Sequence, residues 1–335
     1  MLPNVVRAAQ ASLALIAACV AINLLAYYTT LEAAHAERSR LWAWYGTDGG
    51  HKRGVFDAPA RNATPVALCG GITRRSRFAV VTMISAEGSG AASLCLYANS
   101  AAKLGASLRR FVHLDMIALV FDSGNATFTR QHAEELETQG GWQVCKLPPL
   151  HTRPPPAINR YHTAKMFSKL HVWSLVEYEG ILYVDADVLC LRSPAEIFTD
   201  VMPAMREEGV TLAMVRQGTE ANTFNAGVMA VLPRAGAAVS MLEREPHTTY
   251  DYSLAEQGFL NVLCAGQIHR LPHRYNTWAE GHNSAALASS GPSPAVFLHF
   301  IVKPWVPWSE LEAHRAVGLK EFWNQFPPPE RCRSG

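Results

Sequence analysis

The sequence predicts an α/β domain built on a mostly parallel central sheet with helices on its faces. Three observations carry this. Short apolar, β-branched runs recur at residues 78–85, 116–121 and 181–184. Helical stretches separate the first of them. Two carboxylates, Asp185 and Asp187, stand where the third run ends. Strands that alternate with helices are the pattern of βαβ units and of a parallel sheet.

The elements follow in order. Residues 78–85 (FAVVTMIS) are short and apolar, as a strand buried on both faces must be. A helix is expected over 91–104, ended by Gly105, because glycine commonly follows the last helical residue. Residues 116–121 form a second strand. A polar helix spans 130–139 and is closed by Gly140-Gly141, and 142–147 form a third strand. Residues 148–156 are a proline-rich loop, followed by a helix at about 163–175. Residues 181–184 form a fourth strand that runs straight into Asp185. Strands at 211–215 and 227–232, a helix at 254–264, a last strand at 297–300 and an amphipathic helix at 309–326 complete the order. No internal repeat is present.

The 335 residues are enough for one large domain with a sizeable core. Hydrophobic residues make up 49% and charged residues 17%, which excludes a disordered or fibrous chain. A net charge of +2, with no dense Lys/Arg stripe, gives no footprint for nucleic acid. The cysteines are Cys19, Cys69, Cys95, Cys145, Cys190, Cys264 and Cys332, with no CxxC pair to suggest a zinc or thiol-redox site. Cys19 lies in an apolar segment. The other six allow fifteen disulfide connectivities, among which sequence cannot choose.

Residues 8–31 are apolar apart from Gln10, Ser12, Asn23, Thr29 and Thr30, and a membrane-spanning helix needs roughly 20 such residues. Residues 1–31 are therefore read as a signal-anchor or transmembrane segment, residues 32–77 as a stem or linker, 78–310 as the catalytic domain and 311–335 as a C-terminal helix and tail. A cleaved signal peptide competes, because Ala34-His35-Ala36 has the small-x-small form of a cleavage site. Either reading places the rest of the chain in the secretory lumen. A single-pass type II protein of the Golgi or another secretory membrane is the expectation. Sequons at Asn62 and Asn125 fit that side.

The chemistry centres on Ile181-Leu-Tyr-Val-Asp185-Ala-Asp187. In open α/β sheets, ligands bind beyond the carboxyl ends of the strands. A hard divalent cation takes oxygen ligands, and a nucleotide diphosphate is its frequent partner. Asp185 and Asp187 are thus candidates to hold a metal that in turn holds a diphosphate. The bland alternative is two solvated acids at a strand end. A third alternative is a haloacid-dehalogenase-like phosphatase, whose DxDx(V/T) motif matches Asp185-Ala-Asp187-Val188. That class needs later acidic residues for magnesium, and no DD or GDxxxD follows here.

The surroundings decide among these. Arg160-Tyr-His-Thr-Ala-Lys-Met-Phe-Ser-Lys169-Leu-His-Val-Trp173 precedes the DxD strand. Phe224-Asn225-Ala226-Gly227-Val228-Met229 and Glu256-Gln257-Gly258-Phe259-Leu260-Asn261 follow it. Leu271-Pro272 with Tyr275-Asn276, then His299-Phe300 with Lys303-Pro304-Trp305, close the series. Over residues 78–308 these blocks resemble, in order, glycosyltransferase family eight, which includes glycogenin, galactinol synthase and plant glucuronosyltransferases. The block around Lys169 looks closer to the glucuronosyltransferase branch.

The resemblance implies a GT-A fold with a Rossmann-like sheet, and retaining transfer of a hexosyl or glucuronosyl group from a UDP-sugar, dependent on Mn2+ or Mg2+. It implies a glycan, glycolipid or protein acceptor. By resemblance, Asp185, Asp187 and His299 are the metal ligands. Thr82, Lys169, Asp185, Ala186, Asp187, Asn225, Gly227, Gln257 and Lys303 bind the donor. Gln257, Glu256 and Asn225 form the catalytic set. Lys303 resembles the lysine that neutralises the leaving phosphate. A catalytically inactive relative that binds a sugar or a partner is the competing reading. Three departures are visible: Glu256 stands where an Asp is usual, the spacing from His299 to Lys303 is short and lacks its usual glycine, and an Asn/Tyr pair that holds uridine is absent after Thr82. The sequence does not name the sugar or the acceptor.

Overall fold

The computed structural model describes residues 69, 71–85, 90–121, 127–150, 152, 166–217, 223–279 and 294–300. The apolar segment 8–31, both sequons, Lys303 and the helix expected at 309–326 lie outside the described residues. Among the described residues, no helix is long and apolar enough to cross a membrane.

In chain order the elements are β1 (Phe78–Ser85), α1 (Gly90–Leu108), β2 (Asp115–Phe121) and α2 (Arg130–Glu135), which continues into one π-helical turn, Leu136–Gly140. Next come β3 (Gln143–Lys146), a 3-10 segment (Phe167–Ser174), β4 (Gly180–Val184) and β5 (Val188–Cys190). A π-helical turn (Ile197–Val201) leads into α3 (Met202–Glu208), followed by β6 (Leu212–Arg216), β7 (Phe224–Val231), α4 (Ala237–Arg244) and α5 (Ala255–Leu263). Strands β8 (Ile268–Leu271), β9 (Thr277–Trp278) and β10 (Phe297–His299) complete the described chain.

The central sheet has seven strands in the order β3-β2-β1-β4-β7-β6-β8. Strands β3, β2, β1 and β4 are parallel, as expected. Strand β7 is antiparallel to both β4 and β6. The reason is the short link between β6 and β7, since a parallel crossover needs a dozen or more residues. Apolar runs report burial, not direction, so nothing in them marks this reversal.

Side chains alternate across the sheet. Val80, Val120, Leu182, Val184 and Val228 pack on one face with Leu94, Leu104 and Met202. Val81, Ile117, Ile181, Tyr183, Met214 and Met229 pack on the other with Trp173, Met241 and Phe259. This makes three layers, with helices on both faces. Strand β1 is buried on both sides, which explains its unbroken apolar run.

Gly105 does not end its helix, which continues to Leu108. A Cβ there would run into the Gly140 carbonyl and the Trp142 indole. The glycine is needed for close packing, and the Trp142 Nε1 donates to Ala101 O at 2.7 Å beside it. The helix expected over 130–139 instead relaxes into its π turn, and Gly141 ends it in the left-handed region (φ 75°). The expected helix at 163–175 is a 3-10 segment where it is described.

The residues that lead into β1 are tied to the sheet. Cys69 and Cys145 form a disulfide. The Arg75 and Ser76 amides donate to the buried Asp115 carboxylate at 2.8 and 3.0 Å, and the Tyr178 hydroxyl donates to it at 3.2 Å. Cys95 is disulfide-bonded as well, whereas Cys190 and Cys264 are free and buried.

A second sheet of three strands has the order β5-β10-β9. Strand β10 is antiparallel to β5, with His299 opposite Val188. This small sheet was not foreseen, and it closes the site.

Candidate active site

Strand β4 delivers the acidic pair. Its register with β7 ends at Val184 opposite Val228, and the Asp185 amide then donates to Gly227 O at 2.8 Å. The turn that follows is held from α1, where the Ser100 hydroxyl donates to Ala186 O at 2.7 Å. Strand β5 carries the chain away and pairs with β10. The Phe300 amide donates to Asp187 O at 3.0 Å, which seats His299 beside Asp187. Ligand atoms of Asp185, Asp187 and His299 all lie within 4.8 Å of one another. The His299 Nε2 is 3.4 Å from Asp187 Oδ1. Asp187 and His299 are buried, and Asp185 is the partly open member.

Two carboxylates and an imidazole that converge from separate strands fit a divalent cation of the Mg2+, Mn2+ or Zn2+ kind, with positions left for phosphate oxygens. The space for the imidazole comes from Gly227. A Cβ there would collide with the His299 ring and press on Asn225.

Lys169 lies beneath the pair. Its ammonium is 3.1 Å from Asp185 Oδ1 and 2.6 Å from Glu256 Oε1, and it donates to Ala226 O at 3.2 Å. Burial alone would lower its pKa. The Asp185 and Glu256 carboxylates outweigh burial and raise it, so the lysine stays charged. Burial pushes the Glu256 carboxyl upward, and the Lys169 ammonium opposes that shift. The Tyr183 hydroxyl donates to Asp185 Oδ1 at 2.7 Å. Burial first, then the Asp185 charge, hold Tyr183 well above the ordinary phenol range, so it remains a donor.

The third component is an irregularity in β7. Met214 pairs with Met229, but the next residue, Val215, pairs with Asn225. Ala226, Gly227 and Val228 therefore have no partner residue in β6, and site side chains satisfy the Ala226 and Gly227 amides. The Ala226 amide donates to Gln257 Oε1 at 3.0 Å, and the Gly227 amide to Asn225 Oδ1 at 2.8 Å. Gln257 Nε2 donates to Gln217 Oε1 at 2.8 Å. From α5, Asn261 both accepts from the Phe224 amide and donates to its carbonyl, each at 2.8 Å. Helix α5 begins at Ala255, a non-glycine residue at φ 49°, so the backbone is strained just before Glu256.

Asn276 joins this region to His299. Its Oδ1 is 3.0 Å from His299 Nδ1, and its Nδ2 donates to Asn225 Oδ1 at 2.7 Å. His299, Asn276 and Asn225 are all buried.

The structure thus gathers Lys169, Asp185, Ala186, Asp187, Asn225, Gly227, Glu256, Gln257 and His299. Thr82 is fully buried in β1, with its hydroxyl unpartnered. Lys303 lies outside the described residues. Sequence reasoning missed Tyr183, Gln217 and the role of Asn276. Tyr183 was within reach, because residues two apart on a strand share a face.

Residues 155–309 match the family model described as Glycosyl transferase family 8. UDP-glucuronate:xylan alpha-glucuronosyltransferase 1 of Arabidopsis thaliana is 27% identical over 210 residues, which is 60% of this chain and 29% of that one. Glycogenin of Neurospora crassa is 30% identical over 155 residues, 44% of this chain and 21% of that one. The chain therefore spans less than a third of either relative. Two solved structures share the fold at a TM-score of 0.50: an active-site mutant of LgtC, 17% identical over 76% of this chain and 99% of that one, and the bifunctional glycosyltransferase WbbM, 13% identical over 71% and 48%. Over residues 155–309 the chain is similar to glycosyl transferase family 8, in agreement with the resemblance drawn from its motifs.

Proposed function

We propose that the protein is a retaining glycosyltransferase that moves a hexosyl or glucuronosyl group from a UDP-sugar to a glycan, glycolipid or protein acceptor, with Mn2+ bound by Asp185, Asp187 and His299. The observation that carries this is the convergence of those three side chains within 4.8 Å at the strand ends. A bound cation would supply positive charge to the diphosphate leaving group. Asp185 is aimed by Tyr183 and Lys169, and Asp187 by the pairing of β5 with β10. By resemblance, Gln257 and Asn225 hold the donor sugar. Lys303, by resemblance, adds a second positive charge at the phosphate. Glucuronosyl transfer is favoured by the similarity to the Arabidopsis thaliana xylan glucuronosyltransferases.

A screen of UDP-sugars for metal-dependent UDP release tests this reading. Mn2+ should promote release from one donor, and Asp187→Asn should abolish it while the fold survives. Near-normal activity of that variant with Mn2+ would remove the metal assignment. No UDP release from any donor would favour an inactive sugar- or partner-binding relative.

The apolar segment 8–31 supports a further proposal: the domain is held in a Golgi or other secretory-pathway membrane and faces the lumen. The Cys69–Cys145 disulfide suits that oxidising compartment. Alkali extraction should leave the protein in membranes, and a glycosidase should shift its mobility. Release from membranes together with glycosidase insensitivity would contradict the proposal.

A further inference from the structure

We propose that the backbone amide of Gly227 sets the tautomer of His299 through two asparagines, so that Asn276 and Asn225 are positioning residues for the metal ligand. This rests on the metal reading given above.

A backbone N–H can only donate, so the atom of Asn225 that faces the Gly227 amide at 2.8 Å must be its carbonyl oxygen. The same oxygen lies 2.7 Å from Asn276, which must therefore present its NH2 group there. That leaves the Asn276 carbonyl oxygen facing His299 Nδ1 at 3.0 Å. An amide oxygen accepts only, so Nδ1 must carry the proton. In the neutral imidazole, Nε2 is then left with its lone pair toward Asp187, at 3.4 Å, inside the group of converging ligand atoms. A metal-binding imidazole needs that unprotonated nitrogen, and a hydrogen bond at the other nitrogen is how it is secured.

Burial makes the chain binding. Asn276 is 1% exposed and His299 4% exposed, so water does not substitute freely for a lost partner. Inverting either amide would bring two donors or two acceptors face to face. Gly227 serves twice, because its amide starts the chain and its missing Cβ makes room for the ring at the end. The residues span 225–299 in sequence, so no local motif reveals the connection.

Nitrogen NMR of the metal-free full chain, labelled at histidine with 15N and assigned by comparison with His299→Gln, reads the tautomer directly. The expected signature is a protonated Nδ1 and an unprotonated Nε2. The opposite tautomer would overturn the proposal, whether or not the protein binds metal. Mn2+ affinity, followed by electron paramagnetic resonance in the presence of UDP, gives the second readout. Asn276→Ala should weaken Mn2+ about 10- to 100-fold, the usual range for loss of a ligand's hydrogen-bond partner. Asn225→Asp keeps the oxygen that accepts from both donors, so it should hold Mn2+ at least as well as the wild type even where donor turnover falls. An Asn276→Ala affinity within twofold of wild type would overturn the positioning role. If the wild type itself binds no Mn2+, the metal reading fails, and the tautomer is still decided by NMR.

Discussion

The Lys169 ammonium sits 2.6 Å from the Glu256 carboxylate, with both side chains buried. One cation thereby ties α5 to the acidic end of β4, because Asp185 is its other partner at 3.1 Å. Lys169→Met would leave two carboxylates facing each other without a counter-charge. Breaking a buried pair from one side costs about 3–5 kcal/mol. Chemical denaturation should show a loss of that size, and a loss under about 1 kcal/mol would contradict the arrangement. The pH dependence follows from the raised lysine. Its folded pKa lies above the ordinary value of 10.5, so its stabilisation is complete below that pH and is lost only as pH rises through the folded value. Any change in activity between pH 6 and 9 must come from other groups, and Lys169→Arg should leave that part of the profile unmoved.

Gly227→Ala should be far more damaging than an extra methyl group suggests. The added Cβ meets the His299 ring and the Asn225 side chain, and both are fixed by hydrogen bonds. Overpacking of this kind costs about 1–3 kcal/mol in stability. Displacing a metal ligand by even one ångström should lower turnover on the order of 100-fold. Steady-state kinetics beside a thermal melt separates the two effects, and normal turnover would mean that His299 is not a ligand.

Among the described residues, the free thiols Cys190 and Cys264 should be inert in the folded protein. Burial pushes Cys190 up to about 12, and its thiol donates to Arg192 O at 3.1 Å. Burial likewise pushes Cys264 up to about 12. The thiolate is the reactive form, so at pH 8 roughly one thiol in ten thousand is available at either position. Iodoacetamide at pH 8 followed by peptide mass spectrometry should modify neither residue until denaturant is added. Rapid labelling of native Cys264 would mean that α5 is not packed as described.

The residues legible in the sequence are those whose role is written into a short stretch. Strand β1 was plain because burial on both faces needs eight nearly unbroken apolar residues. Asp185 and Asp187 were plain because a strand runs straight into them. What the sequence hid depends on pairing. Nothing near Val188 announces that it pairs with His299, since strands of three residues carry too little pattern to register. Gly105 was misread because a packing glycine and a helix-stop glycine look alike until the partner, Gly140, is known. Asn225 was placed against the donor by resemblance. Its oxygen also accepts from Gly227 and from Asn276, and the second contact joins residues 51 apart.

The proposed transfer with retention can follow one of two routes. A double displacement needs an enzyme carboxylate free to attack the anomeric carbon. Glu256 is the acid nearest by resemblance, yet it is buried, paired with Lys169 at 2.6 Å, and aimed beneath the Asp185 pair. Gln257, the next residue, points elsewhere: it accepts from the Ala226 amide at 3.0 Å and donates to Gln217 at 2.8 Å. Neighbours on a helix do not share a face, and these two diverge accordingly. A neutral amide held at both ends orients a substrate or stabilises developing charge, and it is a poor nucleophile. Same-face attack is therefore the expected route, with the departing phosphate oxygen taking the acceptor's proton. On this route Gln257→Ala is slow but measurable, because it removes positioning and no covalent step. Gln217→Ala should share part of that defect, since it frees the Gln257 amide to rotate. Mass spectrometry of the protein after exposure to donor alone is the deciding measurement. It should find no added sugar, whereas a glycosyl ester on Glu256 would establish the double displacement instead.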